Sequence, residues 1–185
     1  MRIVAGNCKG KRLISLEGIA TRPTLDRVKE ALFNIIQFDV SGARVLDLFS
    51  GSGSLGIECL SRDAKECVFC DNSYEAIKVI KKNLENTKFE NSSVIINKDY
   101  MLAIKKLHKE GYKFDIIFLD PPYDSDFDVK ALEEIIKLEL LADDGLIIIE
   151  TDNKKKEEEI LKNKKIRIHD KRQYGRVLLI FVRKG

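Results

Sequence analysis

Apolar residues from position 44 onward fall into short runs rich in valine, isoleucine, leucine and phenylalanine. The runs cover residues 44–49, 66–70, 93–97, 115–119 and 145–150. Each run is nearly continuous rather than alternating, which predicts strands buried on both faces of a parallel sheet. Amphipathic helical patterns lie between them, at residues 54–61, 73–88, 99–110 and 129–140. Strands that alternate with helices predict a doubly wound, Rossmann-like α/β fold.

The two ends of the chain depart from this alternation. Residues 165–170 and 176–183 are predicted strands joined directly through Lys-Arg-Gln-Tyr-Gly, a hairpin with Gly175 at its turn. Such an antiparallel hairpin is unusual at the end of a dinucleotide dehydrogenase. Near the other end, residues 2–4 and 12–15 are predicted to pair across 6–10. We therefore expect a short hairpin extension over residues 1–22 and one larger domain over 23–185.

A helix is predicted to begin near Thr24, a plausible N-cap that follows Pro23. Its inner face is predicted to consist of Leu25, Val28, Leu32, Ile35 and Ile36. Later in the chain, the charged run at 154–159 is predicted to open an exposed helix.

Composition and charge restrict the class of protein. The 185 residues are 44% hydrophobic and 34% charged, and no apolar run approaches the roughly 18 residues that span a bilayer. We expect a soluble cytoplasmic monomer without a signal peptide. The net charge is +3, with +4 in residues 1–30 and −1 in the remaining 155. The basic excess is therefore assigned to the first 30 residues. This clustering favours nucleic-acid contact there over charges that serve solubility alone.

The pair Cys67-x-x-Cys70 raises the possibility of a zinc or redox site. Residues three apart in a strand point to opposite faces, and the chain has neither a second such pair nor a histidine pair to complete four ligands. We predict ordinary buried thiols and no metal.

A glycine-rich loop follows the first predicted strand. Gly51, Gly53 and Gly56 match G-x-G-x-x-G, which is shared with NAD sites and is weak by itself. Asp47 precedes these glycines at the end of the strand, where its carboxylate would repel a phosphate but suit a cationic amino-acid group. This favours S-adenosylmethionine, which carries an ammonium and a sulfonium. Replacing Asp47 by alanine is expected to abolish cofactor binding, because Asp47 is predicted to supply the only carboxylate opposite that ammonium.

Two more acidic residues end the next two predicted strands. Asp71 is placed to accept both ribose hydroxyls, and Asp99 is placed to accept from the adenine amine. Strand ends in an open α/β sheet meet at one edge, so these acids and the glycine loop are predicted to share a single site. Four neighbours are assigned to the same site: Phe49, Ser50, Asn72 and Tyr100.

The tetrapeptide Asp120-Pro121-Pro122-Tyr123 closes the fourth predicted strand. Two prolines make a rigid turn without backbone donors. The Asp120 carboxylate and the Pro121 carbonyl would then accept the two hydrogens of an exocyclic amine and orient its nitrogen for methyl transfer. Tyr123 is placed to stack on the base, a contact worth roughly 1–3 kcal/mol.

These motifs, in this order, resemble amino-methyltransferases that modify adenine N6, cytosine N4 or guanine N2. The segments MRIVAGNCKGKRL, TRPTLDRVKEALFNII and GARVLDLFSGSGSLGIECLSR, together with the terminal RQYGRVLLIF, are similar to the bacterial RsmD family over nearly the whole chain. That family methylates guanine N2 in 16S ribosomal RNA.

The resemblance implies a class I S-adenosylmethionine-dependent methyltransferase: a mostly parallel seven-stranded sheet with a C-terminal antiparallel hairpin. It implies an active site at Asp120–Tyr123 and a 16S ribosomal RNA or assembling small-subunit partner. It also implies that RNA contacts the N-terminal basic residues, namely Arg2, Lys9, Lys11, Arg12 and Arg22. Asn7-Cys8 stands where an aromatic residue is expected, which argues against base stacking on that loop.

Three other functions compete with this one. A methyltransferase could act on adenine in RNA or DNA, or on a glutamine amide in protein, although the latter enzymes usually carry Asn before Pro-Pro-Tyr. An NAD-linked oxidoreductase is disfavoured by Asp47 and the terminal hairpin. A non-catalytic RNA-binding module would have no need for Asp-Pro-Pro-Tyr beside a cofactor loop.

Overall fold

The computed structural model describes residues 1–16, 23–122, 125–153 and 155–185. Its strands are β1 Arg44–Asp47, β2 Glu66–Asp71, β3 Ser93–Asn97, β4 Phe114–Leu119, β5 Leu141–Thr151, β6 Ile166–Tyr174 and β7 Val177–Lys184. Its helices are α1 Pro23–Ile35, α2 Ser54–Ser61, α3 Tyr74–Thr87, α4 Tyr100–Lys109, α5 Phe127–Lys137 and α6 Lys156–Ile160, with a 3₁₀ turn at Glu90–Ser92. None of the helices in the described ranges is long and apolar enough to cross a membrane.

The seven strands form one sheet in the order β3-β2-β1-β4-β5-β7-β6. The first five strands run parallel, and β7 pairs antiparallel with both β5 and β6. The predicted fold class, a mostly parallel sheet with a C-terminal antiparallel hairpin, is confirmed. The strand order reverses beside β1, so the loops after β1 and β4 lie at the position where open α/β sheets bind ligands.

Each face of the sheet packs against its own set of helices. The first face buries Phe33 of α1, Ile57 of α2 and Ile80 of α3. The second face buries Ala103 of α4 and Ile135 of α5. Both sets are fully enclosed, because the parallel strands are apolar on both sides as their continuous runs predicted.

Cys67 and Cys70 of β2 lie on these opposite faces, as predicted, and both are fully buried. Burial raises the pKa of both thiols, that of Cys70 to about 12. Both side chains are therefore neutral thiols that fill the core on either side of the sheet.

The C-terminal hairpin is longer than predicted. β6 continues through Lys171 and Arg172 to Tyr174, so its turn consists of Gly175 and Arg176 rather than five residues. Gly175 has φ 61, a left-handed conformation that suits glycine. The charged residues remain in the strand because β6 is the edge strand, where side chains reach solvent while the backbone pairs with β7.

β5 also begins earlier than predicted. It starts at Leu141, which pairs with Phe114 ahead of a register shift in β4. Asp143 and Asp144 are exposed within this extension. The pairing with β4 passes from Leu141 to Leu146, so both residues lie within the register shift between these two paired positions.

The predicted N-terminal hairpin has one β-bridge, between Arg2 and Arg12. Backbone hydrogen bonds on either side of it also cross the hairpin, from the Ile3 N–H to the Lys11 carbonyl at 3.0 Å and from the Leu13 N–H to the Met1 carbonyl at 3.1 Å. Further along, the N–H groups of Val4 and Ala5 donate to the Glu58 carboxylate at 2.8 and 2.9 Å. The segment over residues 1–16, called here the N-terminal segment, is thus a short hairpin that is also bonded to α2.

Helix α1 begins at Pro23, close to the predicted start. Val28, Leu32 and Ile36 are buried as predicted, and Ile35 is partly buried. The side chains of Thr24 and Leu25 lie outside the described residues. The charged run at 154–159 contributes to the short helix α6, but its Lys156 is buried rather than exposed.

Candidate active site

A cleft of about 600 Å³ opens at the carboxyl edge of the sheet. Most of the residues predicted for the cofactor and for catalysis line it: Asp47, Phe49, Ser50, Gly51, Asp71, Asn72, Asp99, Tyr100, Asp120, Pro121 and Pro122. Gly53 does not line the cleft, and a Cβ at this position would face Phe69, Ile57 and Ile80 of the core. The positions of Tyr123 and Arg22 fall outside the described residues. The sheet topology thus brings together side chains from the ends of β1 to β4, as expected for strands whose carboxyl ends meet.

The glycine loop is held between β1 and β2 by Ser50. Its hydroxyl donates to the Asp47 carbonyl at 2.6 Å and accepts from the Cys70 N–H at 2.9 Å. Gly51 and Gly53 have φ 53 and 79, conformations that L side chains rarely adopt. A Cβ on Gly56 would lie 2.3 Å from the Phe69 ring, so this glycine allows α2 to pack directly on β2.

Asp47 is nearly inaccessible to solvent, and one carboxylate oxygen accepts from the Gly56 N–H at 3.1 Å. Burial raises the pKa of Asp47 to about 7, against the lowering effect of that hydrogen bond and with a further contribution from Asp71. The pKa of this carboxyl group therefore lies near neutral pH. A cation in the cleft would favour its ionised form.

Asp71 orients the glycine loop as well as facing the cleft. One carboxylate oxygen accepts from the Gly51 N–H at 2.9 Å and the other from the Ser73 N–H at 2.8 Å. A carboxylate offers about four acceptor positions, so each oxygen retains capacity for a ligand hydroxyl. Asn72, beside it, is exposed at the same rim.

Asp99 lies two residues beyond β3 and caps α4, accepting from the Met101 N–H at 2.9 Å. Beside it, three rings form a continuous aromatic wall. The centroid of Tyr100 is 5.4 Å from that of Phe49 and 5.1 Å from that of Phe127. Such a wall suits a flat heteroaromatic ring with a polar edge directed at Asp99.

Asp120 stands at the end of β4, level with Glu150 on the neighbouring strand β5. Burial, with the nearby Glu150 and Asp47, raises the pKa of Asp120 well above its ordinary value. Asp120 and Glu150 line the same cleft as Asp47, whereas the role of Asp47 as the only carboxylate opposite a bound ammonium stays a prediction. Three carboxyl groups from three strands make this end of the cleft strongly attractive to a cation.

Lys156 anchors the residues that lead into α5, from Ser125 onward. Its ammonium donates to the Ser125 carbonyl at 3.0 Å and contacts the carboxylates of Asp126 and Asp128 at 3.2 and 2.9 Å. Burial would lower the pKa of Lys156, but the hydrogen bonds to these carboxylates outweigh it and raise the pKa. The lysine therefore remains charged and ties α6 to the loop that leads into α5.

The N-terminal segment forms the opposite wall, with Met1, Ser15 and Leu16 lining the cleft. Asn83 of α3 bonds this wall to the glycine loop: its amide donates to the carbonyls of Ile14 and Ser52 at 3.0 and 2.9 Å. The buried side chain of Asn83 thus connects the glycine loop to the N-terminal segment.

A second buried link runs through Lys29 and Glu58. Lys29 donates to the Arg2 carbonyl at 2.6 Å and to the Ser54 hydroxyl at 3.2 Å, and lies 3.3 Å from Glu58. Arg62 also contacts Glu58, at 3.0 Å. The four predicted basic residues that the structure describes in this segment are exposed: Arg2, Lys9, Lys11 and Arg12.

Sequence reasoning missed Glu150, Phe127, Lys29 and Glu58. Glu150 ends a predicted strand as Asp47 and Asp71 do, so the rule used for those acids could have found it. Phe127 and Lys29 carry no local signal, because their place in the cleft depends on how α5 and α1 pack. Glu58 is an acid inside an apolar helix, which is a recognisable sign of a buried partner.

Comparison with known proteins agrees with this geometry. The family described as conserved hypothetical protein 95 matches residues 1–183. Ribosomal RNA small subunit methyltransferase D of Haemophilus influenzae is 36% identical over 156 residues, which is 84% of this chain and 80% of that protein. The Escherichia coli protein of the same name is 35% identical, over 82% and 75%. YlbH of Bacillus subtilis, named as a candidate rRNA methyltransferase, is 41% identical over 82% and 83%.

Among solved structures, an Escherichia coli protein described as a candidate methyltransferase, yhhF, superposes with a TM-score of 0.84 at 27% identity. The match covers 100% of this chain and 98% of that one. A candidate methylase from Haemophilus influenzae has a TM-score of 0.80 at 30% identity, over 99% and 97%. With its glycine loop, its carboxyl-edge cleft and a match from end to end, the chain belongs to the RsmD family of S-adenosylmethionine-dependent methyltransferases.

Proposed function

We propose that this protein transfers the methyl group of S-adenosylmethionine to the exocyclic N2 amine of a guanine in 16S ribosomal RNA. The observation that carries the proposal is the position of Asp120 and Pro121, which line the cofactor cleft at the end of β4 beside Glu150. The names of the relatives at 35–36% identity support RNA of the small ribosomal subunit as the substrate.

The cleft suits S-adenosylmethionine in chemistry as well as in size. Its end beside β1, β4 and β5 carries Asp47, Asp120 and Glu150, which would attract the ammonium and the sulfonium. Asp71 would accept the ribose hydroxyls, and Asp99 would accept from the adenine amine beside the Phe49–Tyr100–Phe127 wall. Gly51, which lines the cleft, would allow the backbone to approach the ligand closely.

The residues at the end of β4 would perform the positioning that the reaction needs. The amine of a base is a poor nucleophile because its lone pair is delocalised into the ring. Asp120 and the Pro121 carbonyl would hold its two hydrogens and direct the nitrogen at the methyl carbon. S-adenosylmethionine supplies that carbon on a sulfonium, and the sulfur leaves with the C–S electron pair.

Asp120 would also take up charge during transfer. The nitrogen gains positive charge as the new N–C bond forms, and one of its protons must then leave. A carboxylate whose pKa is raised is a better proton acceptor than an ordinary one. Asp120 would therefore stabilise the transition state and receive the proton before it passes to solvent.

Methyl transfer to 16S RNA from a strain that lacks this gene tests the proposal. Nucleoside mass spectrometry should find N2-methylguanosine in the product. N6-methyladenosine instead would establish the rival adenine methyltransferase, and absence of any transfer would overturn the proposal. The proposed partner is either naked 16S RNA or the assembling small subunit, and the protein is proposed to act as a monomer. Comparing methyl transfer to these two substrates would identify the one that it methylates.

Variants of Asp120 test the catalytic assignment. Asp120→Ala should bind the cofactor almost as tightly as the wild type but lower the single-turnover rate by at least about a hundredfold, because the interaction forms mainly in the transition state. Asp120→Asn keeps an acceptor without the charge. If it retains most of the activity, positioning dominates. Full activity in Asp120→Ala would contradict the assignment.

A further inference from the structure

The basic charge of the chain is concentrated at both ends, not only at the N-terminus. Residues 161–185 carry nine lysines and arginines against one acidic residue, a net charge of +8. Residues 31–160 carry a net charge of −9. The two values add to −1 over the last 155 residues, so the C-terminal excess is not visible in that total. The assignment of the basic excess to the N-terminal segment alone is therefore wrong.

Strand pairing connects this C-terminal charge to the catalytic end of the sheet. Leu119, the last residue of β4, pairs with Ile149, so the next residue, Asp120, lies level with Glu150 of β5. Glu150 pairs with Leu179 of β7, and Leu179 pairs with Arg172 of β6. Asp120 thus continues a row that Glu150, Leu179 and Arg172 form across three strands. Since neighbouring strands are about 4.8 Å apart, Arg172 lies about 14 Å from Asp120 along the row.

Arg172 also lies on the face of the sheet that carries the N-terminal segment. Paired residues share a face, and Leu179 packs in the same cluster as Ile3 and Leu13. Arg172 is exposed, and its one ion pair with a residue that the structure describes is with Asp170, at 3.1 Å. An exposed pair of this kind contributes little free energy, so it is readily exchanged for a phosphate.

The turn of the hairpin adds a second cation at the same place. Arg176 lies in the two-residue turn, is exposed, and forms no ion pair with any residue of the described ranges. Because β7 runs antiparallel to β5, this turn projects from the carboxyl edge, where the cleft opens. Arg172 and Arg176 are called here the hairpin tip.

We propose that the hairpin tip is a second RNA-binding surface, on the opposite side of the active site from the N-terminal segment, and that it contacts phosphates of the substrate strand. The proposal rests on the RNA substrate proposed above. An RNA strand that reaches Asp120 must pass an acidic cleft, and cations on both flanks would offset the resulting repulsion.

The composition of the tip favours RNA over an anionic membrane. The exposed large apolar side chains of the described residues are Ile14, Phe38, Tyr74, Leu102, Phe127 and Leu161, and none of them lies in β6, the turn or β7. A bilayer-binding surface normally adds apolar side chains to its basic ones. Phosphate recognition by RNA-binding proteins needs only the charges.

The test is RNA affinity of the double variant Arg172→Ala/Arg176→Ala, measured by fluorescence anisotropy with a 16S RNA fragment over a series of salt concentrations. Each lost phosphate contact reduces the log–log salt slope by roughly 0.7–0.9 and weakens binding about five- to eightfold at 0.1 M salt. We expect a loss of at least about twentyfold, with unchanged cofactor affinity. Arg172→Lys/Arg176→Lys should restore most of the binding.

Arg167→Ala is the matched control. Arg167 is exposed on the same strand and pairs with Arg183 near the opposite edge of the sheet. Its loss should change RNA affinity less than twofold. An equal loss in this control would overturn the proposal, since the effect would then reflect net charge alone.

Other outcomes are equally decisive. Unchanged RNA affinity and slope in the double variant, in an enzyme that still methylates 16S RNA, would overturn this proposal while leaving the proposed function intact. A wild-type protein that neither binds nor methylates the RNA would overturn the proposed function itself. Loss of binding to phosphatidylserine vesicles without loss of RNA binding would assign the tip to a membrane and also contradict the proposal.

Discussion

At the scale of single residues, the ionisation of Asp47 links the cofactor site to pH. Its pKa is raised to about 7 by burial, so the carboxyl is largely neutral below pH 7 and charged above it. A neutral carboxyl gains little from a neighbouring ammonium. Between about pH 4 and 7 the folded protein also holds this proton more tightly than the unfolded chain does, so this group lowers the free energy of unfolding as pH rises.

We expect the affinity for S-adenosylmethionine to increase as pH rises through 7, by up to about tenfold from pH 6 to 7.5, and then to level off. Binding at pH 6.5 should release a proton, which calorimetry detects in buffers of different ionisation enthalpy. Asp47→Asn should flatten the pH dependence and weaken binding at pH 8.

A variant elsewhere in the same cleft provides the control. Asp99→Asn leaves Asp47 in place, so it should weaken binding while preserving the pH dependence and the proton release. If Asp47→Asn keeps the full pH dependence of the wild type, another group of the cleft controls it.

At the scale of elements, the N-terminal segment is part of the domain's buried polar network rather than a free arm. Glu58 of α2 is fully buried, accepts from two backbone N–H groups of the segment and from Arg62, and forms an ion pair with Lys29 of α1. The same helix begins at the glycine loop. The positions of the basic residues on the segment are therefore coupled to the wall of the cofactor cleft.

Glu58→Gln should lower the free energy of unfolding by about 3–5 kcal/mol, because it leaves the buried charge of Lys29 without its carboxylate partner. Urea denaturation measures this. Glu66→Gln, which breaks the partly exposed pair with Arg44 at 2.9 Å, is the matched control and should cost about 1 kcal/mol or less. The double variant Lys29→Met/Glu58→Gln should recover part of the loss. Equal costs for the two single variants would contradict the network.

At the scale of the whole molecule, charge is arranged as two basic flanks around an acidic centre. The N-terminal segment packs against α2 and α3, whereas the hairpin tip extends beyond β5 at the other side of the catalytic end. A substrate strand that contacts both flanks would cross the end of β4. The basic flanks would then determine RNA affinity and the acidic centre the rate of methyl transfer, so a variant could change one without the other.

Lys9→Ala/Lys11→Ala/Arg12→Ala should reduce the salt slope of RNA binding by roughly 2–3 while leaving cofactor affinity unchanged. Combined with the hairpin-tip variant, its effect on the free energy of RNA binding should be additive, because the two surfaces lie on opposite sides of the active site and have no residue in common. Anisotropy titrations of the three variants give this comparison. An unchanged slope in the triple variant would mean that these residues are ordinary solvated charges.

Much of the fold and of the candidate site follows from local features of the sequence. Continuous apolar runs predict strands enclosed on both faces, and helical periodicity predicts α3 and the inner face of α1 because it reflects which side chains meet the sheet. The glycine loop and Asp120-Pro121-Pro122 are readable for a related reason, since their backbone conformations depend on residue types adjacent in the chain. These features were sufficient to indicate a methyltransferase.

The remaining properties depend on residues that are far apart in the sequence. The pKa of Asp120 is raised by burial and by Glu150, which lies 30 residues later in the chain but beside it on a neighbouring strand. The N-terminal hairpin is attached to the domain because the N–H groups of Val4 and Ala5 donate to Glu58, which is 54 and 53 residues away in the chain. The charges of the hairpin tip reach the active-site edge only because the register of β5, β7 and β6 places Arg172 in the row of Asp120. Local patterns determine which elements form, whereas register and burial between distant elements determine which charges meet.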